Sequence, residues 1–503
     1  MTEQALLLLS LLAPFVGALI CLPFAGRPRL SAGVSILAVA ASLVASLVLV
    51  ARTSGGEVFA VHAGAWPAPF GIVLVIDTFA SLMLSVCQLV VLAAIVFAAK
   101  TLPDRLKRRH LFPLILLLSF GTSGAFLTAD LFNLYVWFEV LLLSSFALMA
   151  MLPGKAARGG TWRYVVINLV SSLLFLAAAG LIYGKTGSLN FVDLRLRFSD
   201  ADSPFLIESS TALLFGAFGI KAALIPLAFW LPSSYPSLPP ALAALFSGLL
   251  TKVGLYAFYR VFVMVLGGEE TFPHRDLLMW LALVTMIGGV LGAVGQNGMR
   301  RILSFHIISQ VGYMALALAV YTPLALAAGI FYLVHHIVVK ANLFLVTGLV
   351  EERAGSSDLA KVKGLLHTSP WIALLFAVPA LSLAGLPPLS GFFAKFALLR
   401  ATLESGDILA AIAVVAVGLL TIFSMLKIWR GIFWGAPEGI GGRPPARSLM
   451  LTSAALALVT IAIGLACGPV FGLAETAAAG LLDPSAYYDA VLGTGNPKLA
   501  TQP

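Results

Sequence analysis

The chain has 503 residues, of which 60% are hydrophobic and 11% charged, with a mean hydropathy of +1.01. That balance excludes an ordinary soluble globule and describes a polytopic, all-α membrane protein, one helical bundle that grows by adding spans rather than domains. The net charge of +9 does not point to nucleic acid, because most Lys and Arg fall in short segments between apolar runs, where membrane topology accounts for them.

About fourteen apolar runs reach spanning length. In chain order they run from Leu6 to Phe24, Val34 to Val50, Val73 to Ala98, Leu111 to Thr128, Ala129 to Leu152, Tyr164 to Tyr183 and Ser209 to Leu231. The series continues from Pro240 to Phe262, Leu277 to Gly295, Ile302 to Val320, Pro323 to Val350, Trp371 to Leu399, Ile408 to Phe433 and Leu449 to Phe471. The first run lacks a basic n-region and is too long for a signal-peptide core, so it reads as a retained span. The whole chain, 1–503, is a single transmembrane domain: three leading helices over 1–110, five-helix units over 111–265 and 275–435, and a last helix with a short tail over 445–503.

Basic residues test that count, since Lys and Arg collect in cytoplasmic loops. Loops one, three, five, nine, eleven and thirteen carry Arg27 and Arg29; Lys100, Arg105, Lys107, Arg108 and Arg109; Lys155, Arg158 and Arg163; Arg300 and Arg301; Arg353, Lys361 and Lys363; and Arg430, Arg443 and Arg447. About eighteen basic residues fall on one side against about eight on the other, which places both termini on the non-cytoplasmic side of a bacterial inner (plasma) membrane. Cys21, Cys87 and Cys467 lie far apart in apolar runs and make no metal or disulfide framework.

The chemistry concentrates inside the spans. Glu139 lies at the middle of the fifth run, where a carboxylate costs on the order of 2.5 kcal/mol or more unless it meets a partner or water. The structural alternative is a protonated Glu hydrogen-bonded between helices. Lys221, Lys252, Lys340, Lys395 and Lys427 also fall within spans, too deep for most of them to snorkel, and His335 and His336 form an intramembrane pair. Together they describe a polar path. His336 and Lys340, four residues apart, share a helix face; haem ligation by the histidines is disfavoured because the others are read in loops or near helix ends.

Pro226 follows Lys221, and Gly385, Pro387, Pro388 and Gly391 precede Lys395, so helices seven and twelve are expected to break beside their lysines. Helices 4–8 and 9–13 carry these features in the same order. Two units of five helices, an odd number, are expected to be inverted relative to each other, with paired half-channels meeting at the midplane.

Burial disfavours the charged form of a lysine and a nearby carboxylate favours it, so a Glu139–Lys221 pair of variable separation can hold and release a proton. Lys252, Lys340, His336 and Lys395 then serve as relay stations, with Lys427 at the cytoplasmic end either joining them or capping a helix carbonyl. Asp77 and Asp130, near helix ends, read as interfacial or capping residues and not as part of the path. A scaffold held by buried charges is the rival from another class, but it needs complementary acids and the spans supply mainly one.

LTADLFNLYVWFEVLLLSSFAL, FGIKAALIPLAFWLPSSYPSLPPALAALFSGLLTKVGLYAFYR, RRILSFHIISQVGYM, HHIVVKANLFL, SLAGLPPLSGFFAKF and GLLTIFSMLKIWRGIFWG resemble the antiporter-like subunits shared by respiratory complex I, membrane-bound hydrogenases and Mrp-type Na+/H+ antiporters. DLFNLYVWFEV, the WLP-x-SYP turn and FSMLKIWRGIFWG are most similar to the D-type members of the Mrp complex. The resemblance implies a row of Glu139, Lys221, Lys252 and Lys395, inverted repeats, and a place in a hetero-oligomeric complex. The expected function is proton translocation within a multisubunit monovalent cation/proton antiporter, a secondary transporter and not an enzyme. The alternative is a proton-pumping membrane subunit of an NADH:quinone oxidoreductase or hydrogenase. No flavin, nucleotide, iron–sulfur or metal motif is present in the sequence, so no cofactor is expected. The expected partners are sister subunits, the lipid bilayer, protons and Na+, with no nucleic acid. Ser233 departs from the pattern, standing where an acid usually follows Trp230-Leu231-Pro232. The short stretch after the last run is unlike the long lateral helix of the largest members.

Overall fold

The computed structural model describes residues 2–66, 68, 70–199, 204–267 and 274–493, so the end of the expected tail, 494–503, lies outside the described residues. The principal helices are α1 (Glu3–Cys21), α2 (Pro28–Thr53), α3 (Thr78–Thr101), α4 (Leu111–Leu127), α5 (Leu131–Ala150), α6 (Lys155–Thr186), α7 (Pro204–Ala222), α8 (Pro240–Phe258) and α9 (Arg275–Val294). They continue as α10 (Met299–Val320), α11 (Pro323–Ala354), α12 (Pro370–Ala384), α13 (Ser390–Glu404), α14 (Ile408–Ile428), α15 (Arg447–Leu465), α16 (Cys467–Leu482) and α17 (Ser485–Leu492). Among the described residues, 11 helices are long and apolar enough to cross a membrane, and Leu111–Leu127, Pro370–Ala384 and Cys467–Leu482 are shorter apolar helices. The protein is a predominantly helical polytopic membrane protein.

Differences from the expected fourteen spans have local causes. The run from Leu449 to Phe471 divides at Ala466 (φ −97, ψ 34) into α15 and α16, where Pro469 has no N–H to carry a continuous helix onward. Before α3 the run starting at Val73 is first a strand: β1 (Phe59–His62) pairs antiparallel with β2 (Val73–Ile76), Phe59 opposite Ile76. Asp77 then begins α3 by accepting a hydrogen bond from the Ala80 N–H at 2.9 Å. Asp130 opens α5 in the same way through Asn133 at 2.7 Å, so both acids are caps, as their positions suggest.

Helix α11 is the centre of the bundle. It packs against α3, α8, α10, α12, α13, α15 and α16, and all its residues from Ala325 to Val350 are buried. Such a helix can be apolar on every side, because it meets protein all round. Helix α8 is equally enclosed and continues as a π-helix, Tyr259–Val265; α14 likewise continues as a π-helix, Trp429–Phe433. The outer helices α2 and α6 keep Leu37, Val44, Leu173 and other apolar side chains exposed, as a lipid-facing surface requires.

Candidate functional site: a buried row of cations

Each side chain of the site is set by a break or by a central helix. Helix α7 ends at Ala222, and the chain is non-helical until the short helix Trp230–Ser234, with Ala223 at φ +66. Lys221 is thereby the last residue but one of a half-helix. It is buried, and its Nζ has no hydrogen-bond partner; the ammonium instead lies 5.6 Å from the centroid of the Phe138 ring. Glu139, the next residue on α5, buries Oε1 equally without a partner. The two groups make no hydrogen bond with each other.

Lys252 is fully buried on α8 and folds back on its own helix, donating to the Ser247 carbonyl at 2.5 Å and to Thr251 Oγ1 at 3.1 Å. Lys340 donates to the Leu303 carbonyl of α10 at 3.0 Å. His336 is fully buried with neither ring nitrogen hydrogen-bonded. It is an unpartnered imidazole one turn before Lys340 on the same helix.

The far end of the row is built on the second break. Helix α12 ends at Gly385 (φ +90), a conformation that suits glycine, and α13 starts at Ser390. Lys395 reaches back across the break to the free C-terminal carbonyls of α12, those of Leu383 at 2.9 Å and Ala384 at 3.0 Å, and its Nζ lies 5.4 Å from the Tyr313 ring centroid. A cation there meets the negative end of a half-helix. His335 Nδ1 shares a hydrogen bond with Ser390 Oγ at 2.8 Å, which joins α11 to the start of α13.

Lys427 is different. It is half-buried and donates to the carbonyls of Val294 at 2.9 Å and Gln296 at 2.7 Å, the C-terminal end of α9. Its contacts are those of a helix cap. Ser233 likewise turns onto its own backbone, donating to Phe229 and Trp230 carbonyls at 2.9 and 3.0 Å.

Two groups escaped the sequence reading. His306, expected near a helix end, lies two turns into α10 because that helix begins at Met299; it is fully buried, with Nε2 on Ser424 Oγ and Nδ1 unpartnered. Arg260, close to the expected end of its span, is buried in the π-helix, where it pairs with Asp77 and donates to Tyr256 Oη at 2.8 Å. The continuation of α8 past Phe258 encloses it. Among the described residues no group of three or more His, Cys, Asp or Glu is arranged to hold a metal ion.

This arrangement of one acid, four buried lysines and buried histidines can hold protons at discrete stations, with Lys252, Lys340 and Lys395 stabilised by backbone carbonyls instead of a carboxylate and Lys221 left without a hydrogen bond. Residues 128–421 match the family described as NADH:quinone oxidoreductase/Mrp antiporter, TM. The chain belongs to this family. It is 42% identical over 490 residues to a protein of Alkalihalophilus pseudofirmus named as the D subunit of a Na(+)/H(+) antiporter, covering 97% of this chain and 99% of that one. A Bacillus subtilis protein of the same name is 35% identical, over 96% of this chain and 99% of its own. Among solved structures, a chain of the Mrp complex from Dietzia sp. superposes with a TM-score of 0.92 at 37% identity, covering 98% of this family member and all (100%) of that chain. A chain of the membrane-bound sulfane sulfur reductase, an archaeal respiratory membrane complex, gives a TM-score of 0.87 at 25% identity over 97% and 100% of the two chains.

Proposed function

We propose that this chain is the proton-translocating subunit of a multisubunit Na+/H+ antiporter of the Mrp type, moving protons along Glu139, Lys221, Lys252, His336, Lys340 and Lys395. Relatives named as antiporter D subunits, which align over nearly the whole chain, support the complex. The observation that carries the proton route is the pair of buried, unpartnered polar atoms Glu139 Oε1 and Lys221 Nζ, the ammonium lying over the ring of Phe138, the residue before Glu139. Groups of opposite charge held apart in a low-dielectric interior are poised to close or open, and either movement changes which of them holds a proton. Lys427 serves as a cap on α9 and lies outside the route.

The two broken segments, each followed by a helix with a π-helical end, support two inverted five-helix repeats over 111–265 and 275–435. The reading of fourteen crossings with both termini on the non-cytoplasmic face rests on the alternation of basic loops. Its partners are the sister subunits of the antiporter in a bacterial plasma membrane. The redox-pump reading draws on the likeness to an archaeal respiratory membrane complex, in which case electron transfer lies in other subunits.

The test uses everted vesicles containing the whole complex, with a respiration-generated pH gradient to which Na+ is added. Collapse of the gradient by Na+ in wild type, and its loss in assembled Glu139→Ala and Lys221→Ala complexes, is the expected result. A gradient unaffected by Na+ but built by NADH or a reduced carrier only in wild type replaces antiport with the redox pump. Assembled variants that respond like wild type reduce the pair to structure.

A further inference from the structure

A cavity of about 820 Å3 opens where the α1–α2 turn meets the segment between α3 and α4. Five cations, Arg27, Arg29, Lys100, Lys107 and Arg108, line it against one carboxylate, Asp104. Asp104 is bound to Lys107 at 3.0 Å, and Lys107, whose side chain is only 11% exposed, also donates to the Ala99 carbonyl at 2.9 Å. One of the five positive charges is therefore matched, and the other four cations, all exposed, face a common opening. The exposed Asp104 carboxyl is held below its usual range chiefly by its hydrogen bond and charge contact with Lys107, with smaller contributions from Arg108 and Arg29.

The cavity also has an apolar part of its lining, which includes Leu30, Ala32, Ile36 and Ala99. From Leu30, 43% exposed, the outer face of α2 continues through Leu37 at 72% and Val44 at 61%, one residue every two turns. A cluster of guanidinium and ammonium groups at the head of an exposed apolar helix face matches a molecule with phosphate at one end and hydrocarbon at the other. A free anion needs the charges but not the stripe.

We propose that this cavity binds the headgroup of an anionic phospholipid, with its acyl chains laid along the Leu30, Leu37 and Val44 face of α2. Arg27, Arg29 and Arg108 hold the phosphates, and Lys107 keeps Asp104 folded aside.

The experiment uses the assembled complex in mild detergent and a photoreactive diphosphatidylglycerol, with labelled peptides of this chain mapped by mass spectrometry. Competitors are phosphatidylcholine and inorganic phosphate. Labelling within residues 22–36 and 99–108 is expected in wild type. Half-saturation should move to on the order of a hundredfold higher lipid in the Arg27→Gln/Arg29→Gln/Arg108→Gln complex, since each cation near the surface contributes a factor of roughly five. Asp104→Asn should shift it about fivefold the other way by removing the one opposing charge. If the triple variant does not assemble, Asp104→Asn decides alone, and failure to tighten binding overturns the proposal. Absence of labelling at these peptides in wild type, or equal displacement by phosphatidylcholine, also overturns it. Displacement by inorganic phosphate at matching concentration makes this a free-anion site and overturns the lipid assignment.

Discussion

Glu139 Oε1 and Lys221 Nζ are both buried without a hydrogen bond, and the ring of Phe138 lies 5.6 Å from the ammonium. An aromatic face beside the cation offers it partial stabilisation of about 0.5–2 kcal/mol, less than a carboxylate contact gives in such a setting. Lys221 can therefore be held near Glu139 without being locked to it. Glu139→Gln removes the charge and leaves the shape, so Na+-driven gradient collapse should fall at least about tenfold with assembly unchanged. Glu139→Asp keeps the charge and should retain measurable activity. Vesicle dequenching normalised to complex content reads both, and Gln activity equal to wild type sinks the proposed role.

Lys427 provides the contrast. Its two contacts cap the C-terminal carbonyls of α9 from α14, so Lys427→Ala should cost about 1–3 kcal/mol through unsatisfied carbonyls while the transport rate per assembled complex stays near wild type. Lys340→Ala, at a fully buried station, should abolish transport. A melting curve and the vesicle assay on the same preparations separate the two lysines; loss of transport in a normally stable Lys427→Ala complex returns that residue to the route.

Lys221, Lys252, Lys340 and Lys395 were legible in the sequence because a charge within a long apolar run is expensive and conspicuous. The breaks at Pro226 and at Gly385 to Pro388 were legible for an equally local reason, the missing N–H of proline and the freedom of glycine. His306 and Arg260 were not, since each was judged by an apolar window that stopped short of the true helix end, while α10 begins at Met299 and α8 runs on as a π-helix to Val265. The strand Val73–Ile76 was absorbed into the following span because a short apolar run has no periodicity of its own to distinguish strand from helix. What Lys395 touches was also hidden. Its partners are carbonyls, which every residue carries, so no side-chain pattern announces them.

Gly391 tests the second break. A Cβ there would lie 1.8 Å from the Ser382 carbonyl oxygen and 3.0 Å from His335 Cε1, so α13 cannot keep its approach to α12 and α11. Gly391→Ala should cost about 1–3 kcal/mol or more, with transport reduced in whatever complex assembles, because the shift moves the Ser390 and Lys395 contacts together. Gly468→Ala, on α16 with nothing within 4 Å of the new methyl, is the control and should leave both readouts unchanged. Equal melting and transport in the two variants would mean the break tolerates displacement.

Arg260 and Asp77 test a different kind of burial. The guanidinium lies 5.4 Å from the Phe79 ring centroid, 5.3 Å from Tyr256 and 5.5 Å from Tyr487, and it pairs with Asp77 where α3 begins, so one side chain ties α3, the π-helical end of α8 and α17 together. Removing one partner strands the other charge away from water, and Arg260→Met or Asp77→Asn alone should each destabilise the complex by about 3–5 kcal/mol. The double variant removes both charges and should recover a large part of that loss, since the desolvation of the pair disappears with it. Thermal melting of the four complexes closes the cycle. Additive losses in the double variant would show that the two residues act independently and that the aromatic cage, not the ion pair, holds this corner of the bundle.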